Sequence, residues 1–147
     1  ASSHAWAPLH TAISLLHGTY IWGYGVTGRD DMCRKLMNIR AAYEKFGFNT
    51  AEWIPYFKGE NVFYKDLGEK TKVSMYLHKG KDALLIVANL SKQDKDIKVP
   101  LMLDAMGLNS KKLTAANALT DVAYPVSKSG AVTAKVRAKS FVLIHLK

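Results

Sequence analysis

The run from Leu84 to Leu90 carries apolar side chains at positions that would fall on both faces of a strand. Such a run suits a central strand, and it constrains the rest of the chain more than any other feature. The residues around it keep a period of two. Val73, Met75 and Leu77 alternate with Ser74, Tyr76 and His78, the pattern of a half-buried strand. The turn Gly80-Lys81-Asp82 separates the two segments. Ile97, Val99, Leu101 and Leu103 alternate again, and Pro100 on the opposite face cannot donate to a ladder, which places this strand at an edge. Further strands are expected at 112–119, 122–126, 132–138 and 141–146, with a hairpin turn at Ser127-Lys128-Ser129-Gly130. Short strands at this spacing without intervening helices predict a mainly β fold, an antiparallel Greek-key-like β-sandwich. Its expected core is Val73, Met75, Leu77, Leu85, Val87, Ile97, Val99, Leu101, Val132, Val136, Val142 and Ile144.

Before about residue 60 the period is helical. Pro8 suits a first turn, and Leu9, Ile13 and Leu16 share one face before Gly18 ends the run; Ala12 and Leu15 point towards another. A glycine and aromatic loop follows, and Thr27 with Asp30 makes a capping-box pattern. Met32, Leu36, Ile39, Tyr43 and Phe46 then mark an apolar face that stops at Gly47. The expected organisation is a two-helix lead-in over residues 1–60 and a sandwich over 61–147. The lead-in is expected to dock through one face and leave a second apolar or aromatic face unsatisfied.

Composition excludes some classes. The net charge of +9 invites a nucleic-acid reading, but lysine outnumbers arginine 17 to 4, and the lysines are dispersed along strands and turns. Arginine is the residue suited to bidentate phosphate and base contacts, so dispersed lysine reads as solvated surface. The longest apolar run, Ala83 to Ala88, is far too short for a membrane span. No signal-peptide pattern stands at Ala1-Ser2-Ser3-His4, and the compartment is undetermined: periplasmic or secreted if a signal lies upstream. One cysteine, Cys33, forbids an internal disulfide.

Residues 83–147 resemble the C-terminal β-sandwich that follows the catalytic barrel in glycoside hydrolases of the α-amylase and α-galactosidase type. A strand ending Ala88-Asn89-Leu90-Ser91, a charged turn and Ile97-Lys98-Val99-Pro100-Leu101 carry the likeness. So do Leu108, the segment Asn117-Ala118-Leu119-Thr120-Asp121, and the closing block from Gly130 to Ile144. Upstream, Leu15-Leu16-His17-Gly18 and Ala51 to Phe57 look like the junction between barrel and sandwich in bacterial glycosidase-like proteins. The resemblance implies a carbohydrate context and a non-catalytic accessory domain, with the upstream catalytic domain of the same chain as its partner.

The chemistry-bearing residues fit that expectation. Glycosidases need two carboxylates roughly 5–10 Å apart across the sugar. Of twelve carboxylates, nearly all fall in turns or beside strands, and only Glu52, next to Trp53, has an aromatic setting. Asp30 and Asp31 read as first-turn acids favoured by the helix dipole. Gly23 to Gly28 matches G-x-G-x-x-G but lacks the strand before it and the strand and acid after it, so no dinucleotide cofactor is expected. His10 and His17 lie seven apart with no third ligand suggested, so no metal is expected. Cys33 has no catalytic context, and no G-x-S-x-G motif is present. The aromatics Trp22, Tyr24, Trp53 and Tyr56 are the candidate carbohydrate-binding residues, since rings can pack on the C–H faces of sugars. Packing between layers is the favoured account of the same rings. Two alternatives remain: a stand-alone carbohydrate-binding module, with only Tyr76 and Tyr124 as candidate sandwich aromatics, and a basic nucleic-acid or anionic-polymer binder.

Overall fold

A computed structural model of the chain describes residues 7–19, 31–58 and 62–147. Among these residues eight strands form two antiparallel sheets. The larger runs β1–β2–β3–β8–β5–β6, with β1 Glu52–Ile54, β2 Thr71–His78, β3 Asp82–Asn89, β5 Ala115–Asn117, β6 Ala123–Tyr124 and β8 Ser140–Leu146. The smaller pairs β4 Lys95–Pro100 with β7 Ala131–Val136. Two helices, α1 Pro8–Leu16 and α2 Asp31–Phe46, precede the strands. Among the described residues no helix is long and apolar enough to cross a membrane.

β3 is buried along its whole length. On one face Ala83, Leu85 and Val87 meet Val73, Met75 and Leu77 of β2, Ile97 and Val99 of β4, Val132, Ala134 and Val136 of β7, and Ile144 and Leu146 of β8. Every residue of the expected sandwich core joins this cluster, Val142 as a half-buried member. On the other face Leu84, Ile86 and Ala88 meet Ala12, Leu15 and Leu16 of α1, Ile39, Tyr43 and Phe46 of α2, and Leu143 of β8. The helices therefore form a third layer. β2 is not half-buried as its alternation suggests, because Ser74 and Tyr76 lie under that layer.

A buried serine fixes the helix layer to the sheet. Ser74 donates its hydroxyl proton to the Leu16 carbonyl (2.8 Å) and accepts the Tyr56 N–H (3.0 Å). Leu16 is the last residue of α1, so its carbonyl has no partner within the helix, and Ser74 supplies one. Asn89 does similar service between the sheets. Its amide donates to the carbonyls of Gln93 (2.8 Å) and Val136 (3.0 Å), and its oxygen accepts from the Ser91 N–H and hydroxyl.

The structure corrects several details. The buried stripe of α1 is Thr11, Ala12, Leu15 and Leu16, and Ile13 is 44 % exposed. Small Thr11 and Ala12 let the helix approach the sheet closely, which a stripe through Leu9 and Ile13 would prevent. The strand expected through Leu103 ends at Pro100, and Leu103–Met106 forms a helical turn, α3. Leu103 and Met106 lie three apart, so the turn still aims both inward. Gly107 ends it in the left-handed region at φ +73°, where an added Cβ would sit 2.9 Å from the Gly80 backbone. The ladders of β5 and β6 are shorter than the 112–119 and 122–126 expected. β1 lies among residues read as lead-in. Thr27, Asp30 and the glycine motif at 23–28 lie outside the described residues.

Val87 faces the sandwich core and is fully buried, so Val87→Ala is expected to cost about 1–3 kcal/mol in urea unfolding. Burial also pushes the Tyr76 hydroxyl above the ordinary value of 10.0. The unfolded chain then loses this proton first. The contribution is whole below pH 10.0 and is lost as pH rises through the folded value. The urea midpoint should fall from about pH 9 to 11, and should fall less in Tyr76→Phe.

Candidate functional site

The ladder between β1 and β2 stops at the pair Ile54–Met75, so Thr71 to Ser74 have no β1 residue opposite them. Pro55, which has no N–H to give, ends β1. The Lys58 N–H donates to the Pro55 carbonyl (3.1 Å), closing a turn whose central residues are Tyr56 and Phe57. Thr71 to Val73 on that edge, where the Tyr64 hydroxyl donates to the Val73 carbonyl (2.6 Å), this turn and residues 64–67 line a cleft of about 320 Å³.

The turn's rings are held in place. His17, just past α1, stacks on Phe57 (5.5 Å between centroids, 20° between planes), and Tyr56 stands edge-on to both rings. His17 Nδ1–H donates to the Ile13 carbonyl (2.7 Å), which leaves Nε2 to accept the Tyr56 hydroxyl proton (3.1 Å). Lys72 Nζ lies 5.5 Å from the centre of the Tyr56 ring and 3.4 Å from Asp66 Oδ1. Asp66 also accepts the Gly68 N–H (3.0 Å), and this bond, with the Lys72 charge, holds its carboxyl below the ordinary value. It is ionised at neutral pH.

A second polar cluster lies under the helices. Asp82 accepts from His78 Nδ1 (2.6 Å) and His145 Nε2 (3.0 Å), and Phe46 packs against both imidazoles. His78 Nε2 in turn lies 2.9 Å from Thr50 Oγ1 and 3.0 Å from the Gly47 carbonyl. Both histidines are turned onto the carboxylate. Among the described residues no group of three His, Cys, Asp or Glu side chains is placed to hold a metal ion. The cluster ties the end of α2 to β2, β3 and β8.

The sequence candidates separate. Tyr56 lines the cleft, whereas Trp53 packs under the helix layer, 4.5 Å from Tyr76. Gly18, at φ +72°, passes so close that an added Cβ would lie 3.2 Å from the Trp53 indole. Trp22 and Tyr24 lie outside the described residues. Glu52 is exposed on β1 opposite Leu77. Cys33 is buried on α2 with its sulfur 3.8 Å from Met37 Sδ. The sequence reading missed Asp66 and Lys72, six apart in a charged stretch, and the Asp82 cluster. Asp82 looks like a turn residue, and His145 is 63 positions away.

No protein-family model matches the chain, and no curated protein matches it in sequence. Solved structures do match it. An α-amylase from Anoxybacillus superposes on 82 % of this chain and 24 % of its own, with a TM-score of 0.57 at 10 % identity. The α-amylase of Geobacillus thermoleovorans, solved with acarbose, superposes on 83 % of this chain and 24 % of its own, also with a TM-score of 0.57, at 11 % identity. At these identities the likeness is one of fold alone. The chain spans about a quarter of the length of either amylase.

Removing the Asp82 carboxylate leaves two imidazoles without their acceptor beneath the helix layer. Asp82→Ala is expected to destabilise the fold by about 1–3 kcal/mol. Glu52→Gln, on the exposed edge, should stay within about 0.5 kcal/mol of the parent in the same urea titration.

Proposed function

We propose that this chain is a non-catalytic C-terminal accessory domain of a larger glycoside hydrolase-like protein, and that it supports the catalytic domain of that protein. The observation that carries the reading is the extent of the structural match: over four-fifths of this chain corresponds to only 24 % of each α-amylase. The disposition of the carboxylates supports it. Among the described residues the buried carboxylate, Asp82, is engaged by two imidazoles, and Asp66 in the cleft is engaged by Lys72 and a backbone amide. Neither is arranged as a general acid facing a second carboxylate across a sugar. The exposed Phe57 ring beside the cleft favours a second role within the same reading, contact with carbohydrate.

The purified chain should release no product above buffer from a panel of aryl-glycosides and polysaccharides. Removing residues 1–147 from the parent polypeptide should lower the thermal midpoint of what remains. Turnover by the isolated chain, abolished by Glu52→Gln, would overturn the accessory role.

A further inference from the structure

We infer that the cleft between the Tyr56–Phe57 turn and the open edge of β2 binds an acidic saccharide, a pyranose unit bearing a carboxylate or sulfate group. The choice of a saccharide over other ring-bearing anions rests on the accessory-domain reading. The stacking platform and the charge are properties of the cleft itself.

Phe57 is 57 % exposed, yet its ring is not loose. His17 backs one face and Tyr56 stands edge-on to it, so the ring is fixed before any ligand arrives. A rigid, solvent-facing ring loses little side-chain freedom on binding, and its apolar face suits the C–H face of a pyranose.

The charge around that platform is unbalanced. Among the described residues Lys58, Lys65 and Lys72 line the cleft against one acid, Asp66: three positive charges less one negative leaves +2. Asp66 is already engaged by Lys72 and the Gly68 N–H. Lys72 is the ordered member, with its side chain 20 % exposed and its ammonium held between Asp66 and the Tyr56 ring. A neutral sugar would use the platform and leave the excess charge unanswered, and an inorganic anion would use the charge and leave the platform bare. A ring carrying an acid group uses both. The volume, about 320 Å³, is at the small end of ligand pockets and suits a short saccharide. Among the described residues the lining has no arginine, the residue best shaped for bidentate phosphate, which disfavours a nucleotide.

The test titrates the 147-residue chain, followed by amide chemical shifts, with trigalacturonate, a sulfated chondroitin disaccharide, maltotriose, adenosine monophosphate and sodium sulfate. Trigalacturonate or the chondroitin disaccharide should bind saturably at about millimolar strength, with shifts centred on residues 56–58 and 64–72. The two arms distinguish carboxylate from sulfate. Phe57→Ala should weaken that binding at least tenfold and Lys65→Ala severalfold, both with unchanged melting temperature. Raising salt from about 0.05 to 0.2 M should weaken it as well. Equal binding of maltotriose, stronger binding of the nucleotide, equal competition by sulfate, indifference to Phe57→Ala, or no binding by either acidic sugar would each overturn the assignment. These failures leave the accessory role standing if the chain turns over no glycoside; glycosidase turnover would remove that role whatever the cleft binds.

Discussion

β3 presents apolar side chains on both faces, so the molecule has to supply a cover on each side of the sheet. One cover is the β4–β7 pair, which closes the sandwich core. The other is α1 and α2, which close over Leu84, Ile86 and Ala88. Since each buried aliphatic side chain contributes roughly 1.5–3 kcal/mol, neither cover is dispensable on the scale of a domain's net stability. The three layers follow from that strand, and the cleft opens where Pro55 ends the edge strand β1.

Much of this was legible because it depends on periodicity. The alternation of Val73, Met75 and Leu77, and of Ile97, Val99 and Leu101, determines which side chains share a face before any partner is known. The helices show in the same way. What escaped depends on distance or on length. Glu52-Trp53-Ile54 is too short to display a period, and it is a strand because β2 offers it an edge. Leu101 and Leu103 alternate whether the chain stays extended or turns helically at Leu103, since both arrangements aim them inward. Sequence also offers α1 two plausible stripes, and the close approach allowed by Thr11 and Ala12 decides between them.

The candidate site was legible in part. Aromatic residues crowd 53–57, but neighbours in sequence need not face the same way. Trp53 lies in a strand and turns under the helices, whereas Tyr56 and Phe57 follow Pro55 into a turn and border solvent. The charges opposite them come from the next segment of chain, so no local pattern announces the pairing of Lys72 with Asp66 and with the Tyr56 ring.

Ser74 gives the helix layer a property that apolar contact lacks. Greasy surfaces tolerate sliding, because a helix shifted by a residue can bury nearly as much area. A hydroxyl that must reach one carbonyl at 2.8 Å and receive one amide at 3.0 Å tolerates no such shift. It acts as an indexing pin, setting where α1 ends and where the Tyr56–Phe57 turn begins relative to the same strand. A foreign helix grafted onto this sheet would therefore need a free carbonyl end at that point, and one matched only in hydrophobicity would leave the aromatic turn unanchored.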